Sequence, residues 1–164
     1  VTVGTERFPF DRLVRAVDYM AAQVNGEPVV VQLGHSAYVP TACTWTRFLP
    51  FPELRRHVEE PRIVVSQAGA GMLLLCAQMG KWPIVLPRRR RFAEHVDDHQ
   101  VELASRMAQA GYAVLAERAE DIGSLVLQYD QQRVPPGPGR ASAPRLTQVL
   151  KAYLDTEAAS TASS

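Results

Sequence analysis

Residues 64–87 read VVSQAGAGMLLLCAQMGKWPIVLP, and this stretch decides the fold class. A β-branched run at 62–66 leads into four small residues, 68–71, and then into an apolar helical pattern that Gly80 closes. Another β-branched run follows at 83–87. Small residues where a strand gives way to a helix let another group come close to the backbone. The pattern predicts a strand–helix–strand unit whose turn admits either a ligand or a closely packed neighbouring element.

The rest of the chain continues this alternation. Strands are predicted at 1–3, 28–33, 62–66, 83–87 and 113–116. Apolar residues at helical spacing predict helices at 10–21, 51–60, 72–79 and 101–108. Strands that alternate with helices favour a parallel sheet with right-handed crossovers. The sequence therefore predicts an α/β fold, an open parallel sheet with helices on both faces.

Composition narrows the class of protein. The chain has 164 residues, of which 46% are hydrophobic and 21% charged, as expected for a soluble globular domain. A net charge of +1 gives no bulk attraction to nucleic acid. Cys43 and Cys76 do not make a disulfide framework, which favours a reducing compartment. With no signal peptide and no apolar run near the ~18 residues of a membrane span, we expect a cytoplasmic protein.

Composition also divides the chain along its length. A globular domain is predicted over residues 1–130. Residues 131–144 are rich in proline and glycine and read as a linker, and 145–154 could form one short helix. The last ten residues, 155–164, are predicted to be a disordered tail.

The segment SQAGAG, residues 66–71, has the position of a phosphate site. In an open α/β sheet, ligands bind beyond the carboxyl ends of the strands, and the first turn of a helix attracts anions. Gly4 and Thr5 follow the first predicted strand in the same way. The dinucleotide fingerprint and the P-loop are both absent, so the alternative of close helix–sheet packing stays open.

A second polar cluster, EHVDDHQ at 94–100, follows the strand 83–87. Carboxylates and amides at that edge of the sheet are suited to bind sugar hydroxyls. The alternative is a solvated helix start with Asp97 or Asp98 as its cap.

A metal site in this cluster is the less favoured interpretation. His95 and His99 would share one helical face, but Val96 stands where the zinc-protease pattern has glutamate. The preceding run, Arg88–Arg91, could neutralise a diphosphate, meet anionic lipid headgroups or form an exposed loop.

Taken together, VTVGT…PFDRLV, VVSQAGAG and GxxPIVLP…EHVDDHQVELA resemble the C-terminal domain of family 28 glycosyltransferases over residues 1–127. Within that family the chain resembles stand-alone halves: the soluble subunit of the dolichol-linked N-acetylglucosaminyltransferase and PssE-type exopolysaccharide and capsule enzymes. The resemblance implies a Rossmann-like domain that forms one half of a GT-B glycosyltransferase, with a UDP-sugar as donor substrate and neither metal nor cofactor.

The resemblance also implies particular residues and partners. The implied donor-binding residues are Gly4, Thr5, Gln67, Ala68, Gly69, Ala70, Gly71, Met72, Asp97, His99 and Gln100. A membrane-anchored subunit would bind a polyprenyl-diphosphate-linked sugar and supply the catalytic base. Together the two halves would form a hexosyltransferase of exopolysaccharide or capsule biosynthesis at the inner face of the membrane. In this chain, Glu6 and His95 are the candidates for a catalytic role.

Three positions depart from the family pattern, which usually has histidine at Gln67, serine or threonine at Met72 and an acidic residue at Leu75. Leucine cannot accept a hydrogen bond from the nucleotide ribose, and losing such bonds costs about 1–3 kcal/mol. Either another group, such as Gln78, binds the ribose or donor binding is weakened. The alternative function is therefore a non-catalytic, nucleotide-sugar-binding regulatory subunit.

Overall fold

The computed structural model describes residues 1–24, 26–132, 146–148 and 150–151. The named helices are α1 (Asp11–Ala21), α2 (Phe51–Glu59), α3 (Ala70–Gln78), α4 (His99–Gln109), α5 (Asp121–Leu127) and α6 (Tyr129–Gln132), with a 3-10 helix at Arg90–Phe92. The strands are β1 (Val30–Gln32), β2 (Thr44–Thr46), β3 (Val65–Ser66), β4 (Ile84–Val85) and β5 (Val114–Leu115).

The strands of the described residues pair in parallel. β1 pairs with β2, and β4 pairs with both β3 and β5. Thr2 joins the two groups, because it bridges Gln32 of β1 on one side and Ser66 of β3 on the other. The order across the sheet is β2, β1, the segment around Thr2, β3, β4, β5. The predicted α/β fold with a parallel sheet is confirmed, although the strand predicted at 1–3 is reduced to the pairing residue Thr2.

Helices cover both faces of this sheet. Ile84 packs in a core cluster with residues of α1 and α5, whereas its neighbour Val85 packs with residues of α3 and α4. Adjacent strand residues point to opposite faces, so the two clusters lie on opposite sides of the sheet. The continuous apolar character of the strands follows from this double burial.

β2 and α5 are among the elements absent from the sequence prediction. β2 reads TWT and is mostly exposed at the edge of the sheet, so it lacks an apolar run. α5 spans only seven residues, and its buried side chains are Ile122 and Val126. Both elements are too short for hydrophobic periodicity to identify them.

The connection from β1 to β2, residues 33–43, contains no helix. Carboxylates on α1 satisfy its backbone instead: Asp11 accepts from the N–H groups of Ala37 and Tyr38. Asp18, which is buried, accepts from the N–H groups of Thr41 at 2.9 Å and Ala42 at 2.7 Å. The side chain of Tyr38 adds a hydrogen bond to Asp18 at 2.6 Å. α1 therefore holds the crossover that positions the edge strand.

Parts of the predicted domain division lie outside the described residues. These are most of the linker 131–144 and all of the tail 155–164. Gln131 and Gln132, placed in the linker by the sequence, belong to α6. Of the segment 145–154, the described residues 146–148 and 150–151 are helical.

The helices in the described ranges are at most 11 residues long, and none has the length and apolar character that crossing a bilayer requires.

Replacement of Asp18 by alanine is expected to lower the free energy of unfolding by about 2–4 kcal/mol, because the backbone N–H groups of Thr41 and Ala42 and the hydroxyl of Tyr38 lose a charged acceptor. Chemical denaturation at pH 7 measures this, with the exposed Asp130→Ala as control. A loss for Asp18→Ala no larger than for the control would contradict the role of this carboxylate.

The effect of Asp18→Ala on stability is expected to depend on pH. Burial alone would raise the pKa of Asp18, but hydrogen bonds from Tyr38, Ala42 and Thr41 outweigh burial and lower the pKa. The contribution of Asp18 is therefore full above the ordinary aspartate pKa and is lost as the pH falls through the lowered value. The stability difference between wild type and Asp18→Ala should shrink correspondingly in acid. A difference that does not change with pH would mean that the charge of Asp18 is not involved.

Candidate functional site

Three loops meet at the carboxyl ends of the strands. Residues 4–9 follow the Thr2 segment, 67–69 lead from β3 into α3, and 86–98 lead from β4 into α4. The rings of Phe8 and His95 lie 6.0 Å apart and join the first loop to the third. The two polar clusters predicted from the sequence therefore share one edge of the sheet.

The beginning of α3 leaves backbone N–H groups available. Gly69 is its N-cap residue, and no side chain makes a capping hydrogen bond there. A Cβ added at Gly71 would meet no atom within 4 Å. The first turn of a helix carries unpaired N–H groups and a partial positive charge, which suits an anion. Ala68, by contrast, is fully buried and packs in the core.

Gly4 is a glycine for a reason that the sequence did not reveal. Its φ is +77°, and a Cβ built there would lie 2.0 Å from Nε2 of Gln67. The side chain of Gln67 therefore fills the space above Gly4 and is itself buried. The small residue at position 4 therefore accommodates another part of the protein.

The guanidinium of Arg88 is fully buried behind these loops. Its Nε donates to Oε1 of Gln67 at 2.6 Å, and its Nη2 donates to the carbonyl oxygen of Val3 at 2.8 Å. Its Nη1 donates to the carbonyl oxygens of Phe8 at 2.9 Å and Glu94 at 3.0 Å. One side chain thus contacts all three loops.

Two further contacts surround Arg88. Gln100 accepts the backbone N–H of Arg88 at 3.2 Å, and its amide nitrogen lies 3.4 Å from Oε1 of Gln67. The ring of Phe10 stacks on the guanidinium at 4.6 Å. Gln67 and Gln100, two of the implied sugar-donor ligands, are therefore buried side chains with partners inside the protein.

Glu94 and Arg12 fix the outer side of the third loop. Nε and Nη2 of Arg12 donate to the two carboxylate oxygens of Glu94 at 2.9 and 2.8 Å, and Nη2 also reaches the carbonyl of Pro87. The Glu94 carboxylate accepts from the backbone N–H of Arg89 as well. A bidentate pair of this kind fixes both the position and the orientation of the Glu94 side chain, and with it the third loop.

Arg88 retains its positive charge. Burial lowers the pKa of Arg88 to about 10, while the negative charges of Glu94 and Glu6 act in the opposite direction. A pKa near 10 leaves the guanidinium protonated at neutral pH. A cation therefore lies in the wall of the site, hydrogen-bonded to oxygens of carbonyl and amide groups.

The structure corrects the interpretation of the run Arg88–Arg91. It is neither an exposed loop throughout nor a set of four equivalent cations, because Arg88 is buried. Arg89 lies 3.7 Å from Glu117, and Arg90 and Arg91 are exposed in the 3-10 helix. Arginine at the end of an apolar strand resembles a solvent-exposed residue in sequence, so no pattern identified the role of Arg88. The ion pair between Arg12 and Glu94 was missed likewise, because the two residues are 82 positions apart.

His95, Asp97 and His99 form the outer cluster of the site. Nδ1 of His95 lies 3.0 Å from Oδ1 of Asp97, and Nδ1 of His99 makes a short contact with the same oxygen. Partial burial would raise the pKa of Asp97, but hydrogen bonds from His99 and the charges of both imidazoles outweigh this and lower it. Asp97 therefore presents an ionised carboxylate at the site.

These three residues could also hold a metal ion, because their ligand atoms lie within 4.8 Å of one another. Two imidazoles and one carboxylate are a ligand set that zinc accepts. The shared contacts with Asp97 satisfy the same atoms without an ion. The chemistry of the cluster therefore fits both a hydroxyl-binding site and a cation site.

The remaining implied residues lie as follows. Thr5 and Glu6 are exposed on the first loop, and Met72 is half-buried in the first turn of α3. Leu75 points into the core with Val58 and Val64, so it does not face the loops. Gln78 is exposed at the last residue of α3, about 12 Å along the helix axis from its start.

The two cysteines and one cavity lie away from the loops. Burial raises the pKa of Cys43 to about 11 and that of Cys76 to about 12, so neither free thiol is a nucleophile at neutral pH. A largely apolar cavity of about 340 Å³ lies beside α2, lined among others by Leu54 and His57. None of the implied donor-binding residues lines it.

Replacement of Gly4 by alanine is expected to lower the free energy of unfolding by about 2–4 kcal/mol, since the new Cβ collides with Gln67 in addition to the strain of a positive φ. Gly80→Ala is the matched control, because Gly80 has a φ of +65° and open space around it. Denaturant unfolding of both variants separates collision from strain.

Gln67→Ala in the same background should relieve the collision. The double variant is expected to be more stable than the sum of the single effects by about 1–3 kcal/mol. Additive effects, or equal losses in Gly4→Ala and Gly80→Ala, would show that Gln67 does not occupy this space.

Comparison with known proteins agrees with this arrangement. The model of the glycosyltransferase family 28 C-terminal domain matches residues 1–134, a range that contains all three loops and Arg88. A search of curated proteins found no match. The family resemblance seen in the sequence is thus confirmed, and its expected fold agrees with the observed parallel sheet. The chain belongs to the glycosyltransferase family 28 C-terminal domain family, whose role is to bind the sugar donor in a glycosyltransferase.

Proposed function

We propose that this chain is the donor-binding subunit of a two-component glycosyltransferase that uses a UDP-sugar. The observation that carries the proposal is the start of α3, where no side chain caps the helix and the space beside Gly71 is open. Backbone N–H groups there would bind the diphosphate. They would also stabilise the negative charge that develops on UDP as the glycosidic bond breaks, without metal.

The outer cluster supplies contacts to the sugar. An ionised Asp97 accepts hydrogen bonds from hydroxyl groups, and His99 at the start of α4 lies beside it. Gln67 and Gln100 then support the site from behind. The ribose must be held by a group other than Leu75, which is buried.

The acceptor side belongs to a partner. A membrane-anchored subunit would bind a polyprenyl-diphosphate-linked sugar and provide the base that deprotonates the attacking hydroxyl. Glu6 and His95 lie on these loops and could assist. The product would be an exopolysaccharide or capsule precursor, made by a hexosyl transfer at the inner face of the membrane.

Replacement of Gly71 by aspartate tests the phosphate site, because it should stabilise the helix and at the same time weaken the binding of a diphosphate. A carboxylate in the first turn of α3 is favourable to the helix by about 0.3–1 kcal/mol, but it repels a diphosphate. We expect Gly71→Asp to weaken UDP binding at least about tenfold with unchanged or higher thermal stability.

Titration calorimetry with UDP and a thermal melt measure the two effects. Gly71→Asn is the control of equal size without charge, and it should bind UDP within about threefold of wild type. Equal UDP affinity in wild type and Gly71→Asp would place the nucleotide elsewhere. Wild type that does not bind UDP at millimolar concentration, alone or with its partner, would contradict the proposed function.

A second candidate is a non-catalytic, nucleotide-sugar-binding regulatory subunit, which the buried Leu75 favours. The chain, mixed with membranes of the organism that encodes it and a radiolabelled UDP-sugar, distinguishes the two. Transfer of label into extractable lipid only when both are present supports the enzyme. UDP binding without any transfer, for UDP-glucose, UDP-galactose and UDP-N-acetylglucosamine alike, supports the regulatory subunit.

A further inference from the structure

We infer that Arg88 is the positioning residue of the sugar-donor site: its guanidinium holds the three loops in the arrangement that binds the nucleotide sugar. The inference rests on the proposed function for the identity of the ligand. Its geometric basis is independent, because the described contacts of Arg88 do not involve any residue at the open start of α3.

The first step concerns how Arg88 is held. Its side chain is fully buried, and its direct hydrogen-bond partners are the carbonyl oxygens of Val3, Phe8, Pro9 and Glu94 and the amide oxygen of Gln67. The rigid fork of a guanidinium donates in several fixed directions, which a lysine ammonium on its flexible stem cannot reproduce. The planar guanidinium of Arg88 thus fixes the position of each of the three loops.

The second step connects this group to the ligand-facing atoms. Gln67 is two residues before Gly69, the N-cap of α3, and its side chain is fixed by Nε of Arg88. Glu94 is three residues before Asp97, and its carbonyl is fixed by Nη1. A shift of Arg88 therefore moves both the phosphate-facing turn and the hydroxyl-facing cluster, even though Arg88 contacts neither ligand group.

The third step separates positioning from charge. Arg88 is a cation, so it also adds positive potential to the wall of the site. Arg88→Lys keeps the charge and loses the fork. If the residue acts through charge alone, lysine rescues it; if it acts by positioning, lysine does not.

The experiment compares wild type, Arg88→Lys and the control Arg118→Lys, which alters an exposed arginine outside the loops. UDP binding is measured by calorimetry at a temperature where thermal melts show each protein folded. We expect the dissociation constant of Arg88→Lys to rise at least about tenfold and that of Arg118→Lys to stay within about twofold. Unchanged binding in Arg88→Lys, with wild type binding UDP, would overturn the positioning role alone.

A ligand-free measurement keeps the two hypotheses apart. Amide NMR spectra without UDP should show shifts in Arg88→Lys at Gly4, Phe8, Gln67, Gly69 and Glu94, and no such shifts in Arg118→Lys. Shifts spread evenly over the domain, or none at the loops, would overturn the inference. If Arg88→Lys shows the loop shifts but the wild-type protein does not bind UDP, the proposed function is overturned and the positioning role is kept.

Chemical rescue provides a second variant in case Arg88→Lys does not fold. Arg88→Ala leaves a cavity that added ethylguanidinium can enter at millimolar concentration, with ethylammonium as the control that carries the charge without the fork. Recovery of UDP affinity by at least about fivefold with ethylguanidinium and not with ethylammonium supports positioning by the fork. Equal effects of the two compounds, or none from either, would contradict it.

Discussion

The rest of the site depends on the hydrogen bonds of one buried cation, Arg88, which hold together the three loops at the carboxyl edge of the sheet. Removing a guanidinium from water costs several kcal/mol unless good geometry and further hydrogen bonds compensate. Arg88 is compensated by main-chain carbonyls, by Gln67 and by the face of Phe10. Displacing any one loop would leave a buried N–H group without its acceptor, so the three loops are stable only in combination.

The fold could be predicted because its signals are local. Continuous β-branched runs that alternate with helical patterns indicate strands buried on both faces, and Ile84 and Val85 do face opposite core clusters. β2 was not predicted, because an exposed edge strand of three residues needs no apolar run. The backbone N–H groups of the connection that leads into it are bound by Asp11 and Asp18, which lie on a helix earlier in the chain. A partnership of that kind leaves no trace in the spacing of residues along the sequence.

The site could be predicted only in part, for the same physical reason. Position at a strand's carboxyl end was enough to bring Gly69 and Asp97 to one edge of the sheet. It could not show that Gln67 and Gln100, within the same two motifs, point inward, since loop direction is set by contacts that span the chain. A motif that looks uniform in sequence therefore contains two kinds of residue: those open to a ligand, and those that hold the open ones in place.

The filled space above Gly4 limits the routes by which this sequence can change over evolutionary time. With Gln67 present, any side chain at position 4 collides with its amide, so position 67 must shorten before position 4 can vary. Shortening position 67 in turn removes the acceptor of a buried arginine. Positions 4, 67 and 88 are distant in sequence, but a change at one of them is tolerated only after particular changes at the others.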